Sequence, residues 1–219
     1  MSLRAPVKPR TLLTWLGLLF GAAGLSLQFV ISMQAYLANG RDLPGALGTF
    51  FSYYTILTNC LLVLIYLSEI TPARWLELFR HPVLRGMMAA CIALVSGYVY
   101  FVLRHLSVLE GLSNLTDRIL HYLCPALYLL WWVISPPHGR LRWSNLPLML
   151  APTLLYFLFV MARGLWVQEY PYPFMNAGKI GYPAVLQGAL FMAVALAVLS
   201  AAVILLDHVL ARPRMAFDG

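Results

Sequence analysis

Charge is what this sequence has least of: Asp, Glu, Lys and Arg make up 11% of its 219 residues, against about 25% in an ordinary soluble domain. Acidic residues are the scarcer sign, eight against fifteen Lys and Arg. With 61% hydrophobic residues, the chain reads as an integral membrane protein rather than a water-soluble fold. Long polar stretches are also missing. The segments between apolar runs reach only about 20 residues and are rich in Gly, Pro and aromatics, so a single integral membrane domain over 1–219 is expected. Cysteine is rare, and Cys60, Cys91 and Cys124 all lie inside apolar runs without Cys-x-x-Cys spacing. No basic stripe is interleaved with aromatics, which excludes nucleic acid as a partner despite a pI near 9.5. His81, His105 and His138 have no Cys or carboxylate cluster beside them, and His105 with His121 is the only outer histidine pair. Metal catalysis normally needs three protein donors, so neither a metal nor another cofactor is implied.

What the chain does have is length in its apolar runs. About 20 apolar residues cross a bilayer as a helix, and six runs qualify: 12–37, 47–69, 83–103, 117–134, 146–163 and 184–206. The first is too long for the apolar part of a signal peptide. The expected fold is therefore all-α and polytopic, with six transmembrane helices. Six spans put both termini on one side, with Arg4, Lys8, Arg10, Arg74, Arg80, Arg85, Arg140, Arg142, Arg212 and Arg214. The other side has Arg41, Arg104, Arg118, Arg163 and Lys179. Ten basic residues against five make the terminal side cytoplasmic by the positive-inside rule. Asn39-Gly40, Thr71-Pro72, the Ser135–Gly139 turn and Gly181-Tyr182-Pro183 punctuate the runs where turns are needed.

Polar groups inside the apolar runs are few, and their positions form a pattern. Ser52, Thr55, Thr58 and Asn59 fall within about 120° of one face if 47–69 is a continuous helix, so that face must look into protein or a wet cavity. His121 is the lone imidazole inside another run. Runs two, four and six enter from the outer face, which places Thr55 about 8 residues deep, roughly 12 Å, and His121 at about 4 to 5 residues. Gln28, Gln34 and Gln187 belong to the same outer half, so a polar, outward-facing cavity between the second and fourth spans is expected. A threonine hydroxyl is inert until a base within hydrogen-bond reach takes its proton, and His121 is the candidate base for Thr55. Asn59, Tyr128 and Tyr172 are candidates for oxyanion or substrate contacts. Asp117, one turn before His121, is placed to orient the ring. The competing reading has Thr55 bonding back to its own helix, with Thr58 and Asn59 joining helices. Pro125 withholds an amide from the carbonyl of His121, so a kink is expected there. Arg104, Arg118 and Arg163 read as snorkelling residues, and Asp207 and His208 as solvated. The outer loop Gln168–Asn176, with alternating Tyr and Pro, is stiff and extended; it serves either as an interfacial anchor or as a lid.

The runs Phe51–Asn59, His121–Pro125, Gly139–Trp143 and Tyr170–Phe174, in this order and spacing, resemble the bacterial six-span branch of the androgen-induced protein family. The resemblance covers about residues 47–185, and Trp131 and Asn176 stand where bacterial relatives commonly carry acidic residues. It implies an intramembrane threonine hydrolase in the bacterial cytoplasmic membrane, acting on lipid or fatty acyl esters such as fatty acid esters of hydroxy fatty acids. Thr55 corresponds to the motif threonine and His121 to the motif histidine. A transporter or small-molecule binding protein using the same cavity is the alternative function. A structural subunit, with Thr58 and Asn59 facing another chain, is a third.

Overall fold

In lipid, backbone polar groups of an apolar run are satisfied only within helices or closed barrels, and every regular element among the described residues is helical. The computed structural model describes residues 8–105 and 109–211. Arg4, Arg212 and Arg214 lie outside the described residues, as does the side chain of His105. The elements are α1 (Pro9–Ala38), α2 (Leu43–Phe50), α3 (Tyr54–Ile70), α4 (Pro82–Phe101), α5 (Gly111–Arg118), a π turn (Ile119–Leu123), α6 (Cys124–Ile134), α7 (Leu146–Val167), the short α8 (Ala177–Ile180) and α9 (Tyr182–Leu210).

Among the described residues, α1, α4, α7 with the turn that leads into it, and α9 are long and apolar enough to cross a membrane; α2 and α3 together make a fifth, as a bent pair. The continuous second span expected from sequence is broken at Phe51–Tyr53, where the axis turns by 76°. Side chains satisfy the groups this break strands. Ser52 Oγ donates to the Thr49 carbonyl at 2.7 Å, and the Ser52 carbonyl accepts from the Tyr156 hydroxyl of α7 at 2.8 Å. Ser52 therefore leaves the stripe, and only Thr55, Thr58 and Asn59 share α3. The expected fourth span is divided among α5, the π turn and α6, and 11 residues of α6 are too few to cross a bilayer alone.

The most buried helix is α4, which packs against α3, α6, α7 and α9. Its small residues Ala89, Ala90 and Cys91 have no exposed surface, and small residues let helix backbones approach closely where lipid supplies no hydrophobic drive. The α1–α3 contact uses the same device: a Cβ on Gly21 would sit 2.8 Å from a Val63 methyl, and one on Gly17 would overlap the ring of Tyr66. Gly17→Leu is accordingly expected to destabilise the bundle by about 1–3 kcal/mol, the usual range for overpacking, read as a lower unfolding midpoint in detergent.

Ion pairs close both ends. Where α1 begins and α9 finishes, Glu69 pairs with Arg10 and Arg85, while Arg80 donates to the Ser68 and Thr71 carbonyls at 2.9 and 2.6 Å. Asp207 is not solvated: it is 3% exposed, accepts the Leu141 N–H at 2.9 Å, and lies 3.2 Å from His138 Nδ1. His208 Nε2 donates to the Leu141 carbonyl at 2.8 Å. The 136–141 turn folds back over the end of α9 and buries Asp207, while His208 stays exposed.

Candidate active site

Thr55 stands in the first turn of α3, and that position decides what its hydroxyl does. A threonine deeper in a helix usually bonds back to a carbonyl one turn earlier, as Thr58 does to the Tyr54 and Thr55 carbonyls at 2.9 and 3.1 Å. Thr55 follows the break at 51–53 and has no preceding helical turn to bond to. Its Oγ1 instead lies 3.1 Å from His121 Nε2.

The imidazole is aimed by the π turn. In the wider register, Cys124 N–H pairs with the Ile119 carbonyl five residues back, so the acceptor that Pro125 leaves unpaired is the carbonyl of Leu120. Ordinary α-helical spacing would make His121 the freed acceptor; the π register moves it to Leu120. Asn59 Nδ2 fills this vacancy at 3.2 Å and also donates to the Thr55 carbonyl at 2.9 Å. Thr58 and Asn59 are thus both used within the chain. The π turn also brings His121 Nδ1 to 2.8 Å from Asp117 Oδ1 and 3.2 Å from the Asp117 carbonyl. Nδ1 faces two acceptors and carries the proton; Nε2 is left with a lone pair directed at Thr55. The result is a Thr55–His121–Asp117 chain in which Thr55 is buried and the other two side chains are 18% and 25% exposed.

The other candidates separate. Both amide hydrogens of Asn59 are committed to carbonyls, while its Oδ1 is buried without a partner. Two backbone carbonyls around Nδ2 fix that orientation, because the flipped amide would oppose oxygen to oxygen. Tyr128 lies elsewhere, in the cluster of Tyr66, Trp131 and Arg85, with its hydroxyl donating to the Arg85 carbonyl at 3.0 Å. Gln34 and Gln187 are exposed, and Gln28 is held by Ser32 and Thr116. Tyr172, in contrast, comes to the site. Its ring meets Tyr53 edge to face at 5.6 Å and stacks on Phe174 at 5.3 Å. Burial pushes the Tyr172 phenol above its ordinary range, against a lowering from the Thr55 hydroxyl and from the backbone N–H groups of Thr55 and Tyr54. Those first-turn amides have no helical acceptor of their own. Sequence reasoning missed them, because they become donors only once the chain breaks at 51–53.

A cavity of about 410 Å³ opens beside Thr55. It lies between α3, α4, α7 and α9, not between α3 and α6, and its walls are almost wholly apolar. Thr58 and Asn59 do not line this cavity, because both spend their polar groups on backbone. Tyr172, Phe174 and Met175 roof the cavity, so the Tyr-Pro loop covers it.

Arg41 clamps that loop. Its guanidinium holds Glu169 at 2.7 and 2.5 Å, and Arg163, rather than snorkelling alone, reaches Thr49 at 3.1 Å and the Glu169 carbonyl at 3.2 Å. The hydrogen bonds from Arg41 hold the Glu169 carboxyl below its usual range, and the same bonds raise Arg41. A carboxylate with a depressed folded value stabilises the fold above its unfolded value, about 4.3, and that contribution disappears as pH falls through the folded value. Acidification below about pH 4 is therefore expected to loosen residues 168–176, read as faster backbone hydrogen exchange. Glu169→Gln should show the faster exchange at neutral pH. The effect is modest, since Glu169 is 39% exposed.

Among the described residues, no three His, Cys, Asp or Glu side chains gather around a common point that could hold a metal ion. Fold and site together define an all-helical protein with four to five apolar helices of membrane-spanning length and a hydroxyl–imidazole–carboxylate chain beside an apolar cavity. No family model, curated protein or solved structure matches the chain.

Proposed function

We propose that this protein is an intramembrane hydrolase that cleaves a lipid-like ester, with Thr55 as nucleophile and His121 as general base. The carrying observation is the 3.1 Å contact between Thr55 Oγ1 and His121 Nε2, with Asp117 2.8 Å behind the ring. Thr55 Oγ attacks the ester carbonyl carbon while Nε2 takes its proton. The tetrahedral oxyanion is held by the first-turn amides of Tyr54 and Thr55 at the positive end of α3, where it takes the place of the Tyr172 hydroxyl that faces them. Its collapse breaks the bond to the alcohol oxygen, which leaves with the proton from Nε2. Water then attacks the Thr55 acyl ester while giving a proton to Nε2, and collapse of this second intermediate breaks the acyl–Oγ bond, returns that proton from Nε2 to Thr55 Oγ and releases the carboxylic acid.

The resemblance to the androgen-induced protein family supports the same assignment of Thr55 and His121. A lipid-binding or transport protein would need the cavity but has no use for an imidazole aimed at a threonine hydroxyl. In the bilayer, the proposal places six crossings, the fourth formed by α5, the π turn and α6, with both termini cytoplasmic. The excess of Lys and Arg assigned to the terminal side supports that orientation.

The test is covalent. A fluorophosphonate should label Thr55 and block turnover of a fluorogenic acyl ester; failure to label, together with no turnover, overturns the proposal. Asp117 acts through His121 as a positioning residue. Asp117→Asn is expected to lower kcat by about 10²-fold or more with little change in KM, because the wrong tautomer is no longer disfavoured. Asp117→Glu should recover part of the rate, which a purely structural role would not produce.

A further inference from the structure

The loop that roofs the cavity beside Thr55 is fastened along its length. Arg41 holds the Glu169 carboxylate at 2.7 and 2.5 Å, and Arg163 donates to the Glu169 carbonyl at 3.2 Å. The Tyr170 ring lies against the backbone of Gly164 in α7, where any Cβ would overlap it. Phe174 packs on Tyr98 of α4 at 5.0 Å. Both ends of the segment are built to pivot: Gln168 has φ 57°, the one positive φ at a non-glycine among the described residues, and Gly181 has φ 78°. A glutamine held in the left-handed region carries backbone strain that a more extended chain relieves.

The Tyr172 hydroxyl rests where the chemistry would happen. It faces the Thr55 hydroxyl and the N–H groups of Tyr54 and Thr55, and its side chain lines the cavity together with Thr55. A substrate oxyanion and this phenol cannot hold the same donors at once.

We infer that residues 168–176 form a self-inhibiting latch, with Tyr172 occupying the oxyanion position of the resting protein until the segment swings away from Thr55 on Gln168 and Gly181. That Tyr172 blocks chemistry rests on the hydrolase reading; that the segment closes the cavity does not. Such an equilibrium lowers the apparent substrate affinity by the open fraction. Loosening the latch should therefore raise activity, whereas removing a phenol that assisted the oxyanion would lower it.

Access is read first without catalysis. In the full chain carrying Thr55→Cys, in detergent, a sulfonated methanethiosulfonate modifies the new thiol, and peptide mass spectrometry separates residue 55 from Cys60, Cys91 and Cys124. Glu169→Gln and Arg41→Gln are each expected to speed this modification about fivefold, the effect of losing one partly exposed ion pair. The two substitutions change the local charge in opposite senses, so attraction of the anionic reagent alone would speed one and slow the other. Thermal unfolding confirms each fold, and Tyr170→Ala, which lifts the ring from Gly164, stands in for a variant that does not fold. With Thr55 restored, Tyr172→Phe should raise kcat/KM for a fluorogenic acyl ester about fivefold, through loss of the closing hydroxyl. Unchanged modification in the folded variants, opposite changes in the two, or active Tyr172→Phe with equal or lower kcat/KM would each overturn the inference. Absence of turnover and of fluorophosphonate labelling in every chain counts against the hydrolase reading alone, since access is measured without the nucleophile.

Discussion

Replacing Thr55 or His121 with Ala is expected to reduce ester turnover by roughly 10³-fold or more while leaving the unfolding midpoint nearly unchanged. The magnitude follows from the way a nucleophile and its base act as one unit. Removing either abolishes the covalent route, and the double substitution should cost little more than either single one. Stability should be spared because Thr55 contributes no back-bond to its helix and its hydroxyl serves the site, facing His121 and the Tyr172 phenol, rather than the packing of the bundle. Thr58→Ala, three residues further along the same helix, removes a hydroxyl that serves only backbone carbonyls; it should leave turnover within a few-fold of the parent. A stopped or continuous assay with a fluorogenic acyl ester, alongside thermal melts, distinguishes these outcomes. Equal turnover in Thr55→Ala and the parent would remove threonine catalysis from consideration.

Glu69→Ala is expected to have the largest effect on stability, about 3–5 kcal/mol, the cost of leaving a buried charge without its partner. Arg85 is 8% exposed and faces Glu69; it also donates to the Phe79 carbonyl at 3.2 Å and lies over the Trp131 ring at 5.4 Å. Neither of those contacts neutralises a guanidinium. Arg10, whose side chain is 40% exposed, can turn to water, so Arg10→Ala should cost much less. Replacing both Glu69 and Arg85 by Met should recover most of the loss, because a buried pair contributes little net stability over apolar residues of similar volume. Denaturant or thermal unfolding of the three variants and the parent in one detergent provides the comparison.

Much of the site was legible in the chain. Thr55 and His121 stand out because polar groups in apolar runs are rare, and depth along the helices put both in one half of the bundle. Asp117 could be paired with His121 from its spacing of one turn. The roles of Asn59 and Tyr128 were not legible, since both hydroxyl and amide groups take whichever partner the tertiary packing offers. For Asn59 that partner is the Leu120 carbonyl, stranded by a π turn that no residue pattern announces. For Tyr128 it is the Arg85 carbonyl. The break at 51–53 was equally hidden. It contains neither Gly nor Pro, and it is supported from outside by the hydroxyl of Tyr156, 104 residues away.

The sequence by itself determined that apolar runs become helices and that their scarce polar groups must be satisfied, because hydrocarbon offers unpaired backbone and side-chain groups no alternative. It also determined where those groups lie along each run. Only the tertiary structure decided which of them are spent and which remain available. A break that begins α3 just before Thr55 frees one hydroxyl, a π turn directs one imidazole to it, and packing consumes the rest. The physical reason is that a helix satisfies its own backbone locally, whereas the fate of a side-chain hydroxyl, amide or imidazole depends on what residues far away in sequence bring within 3 Å of it.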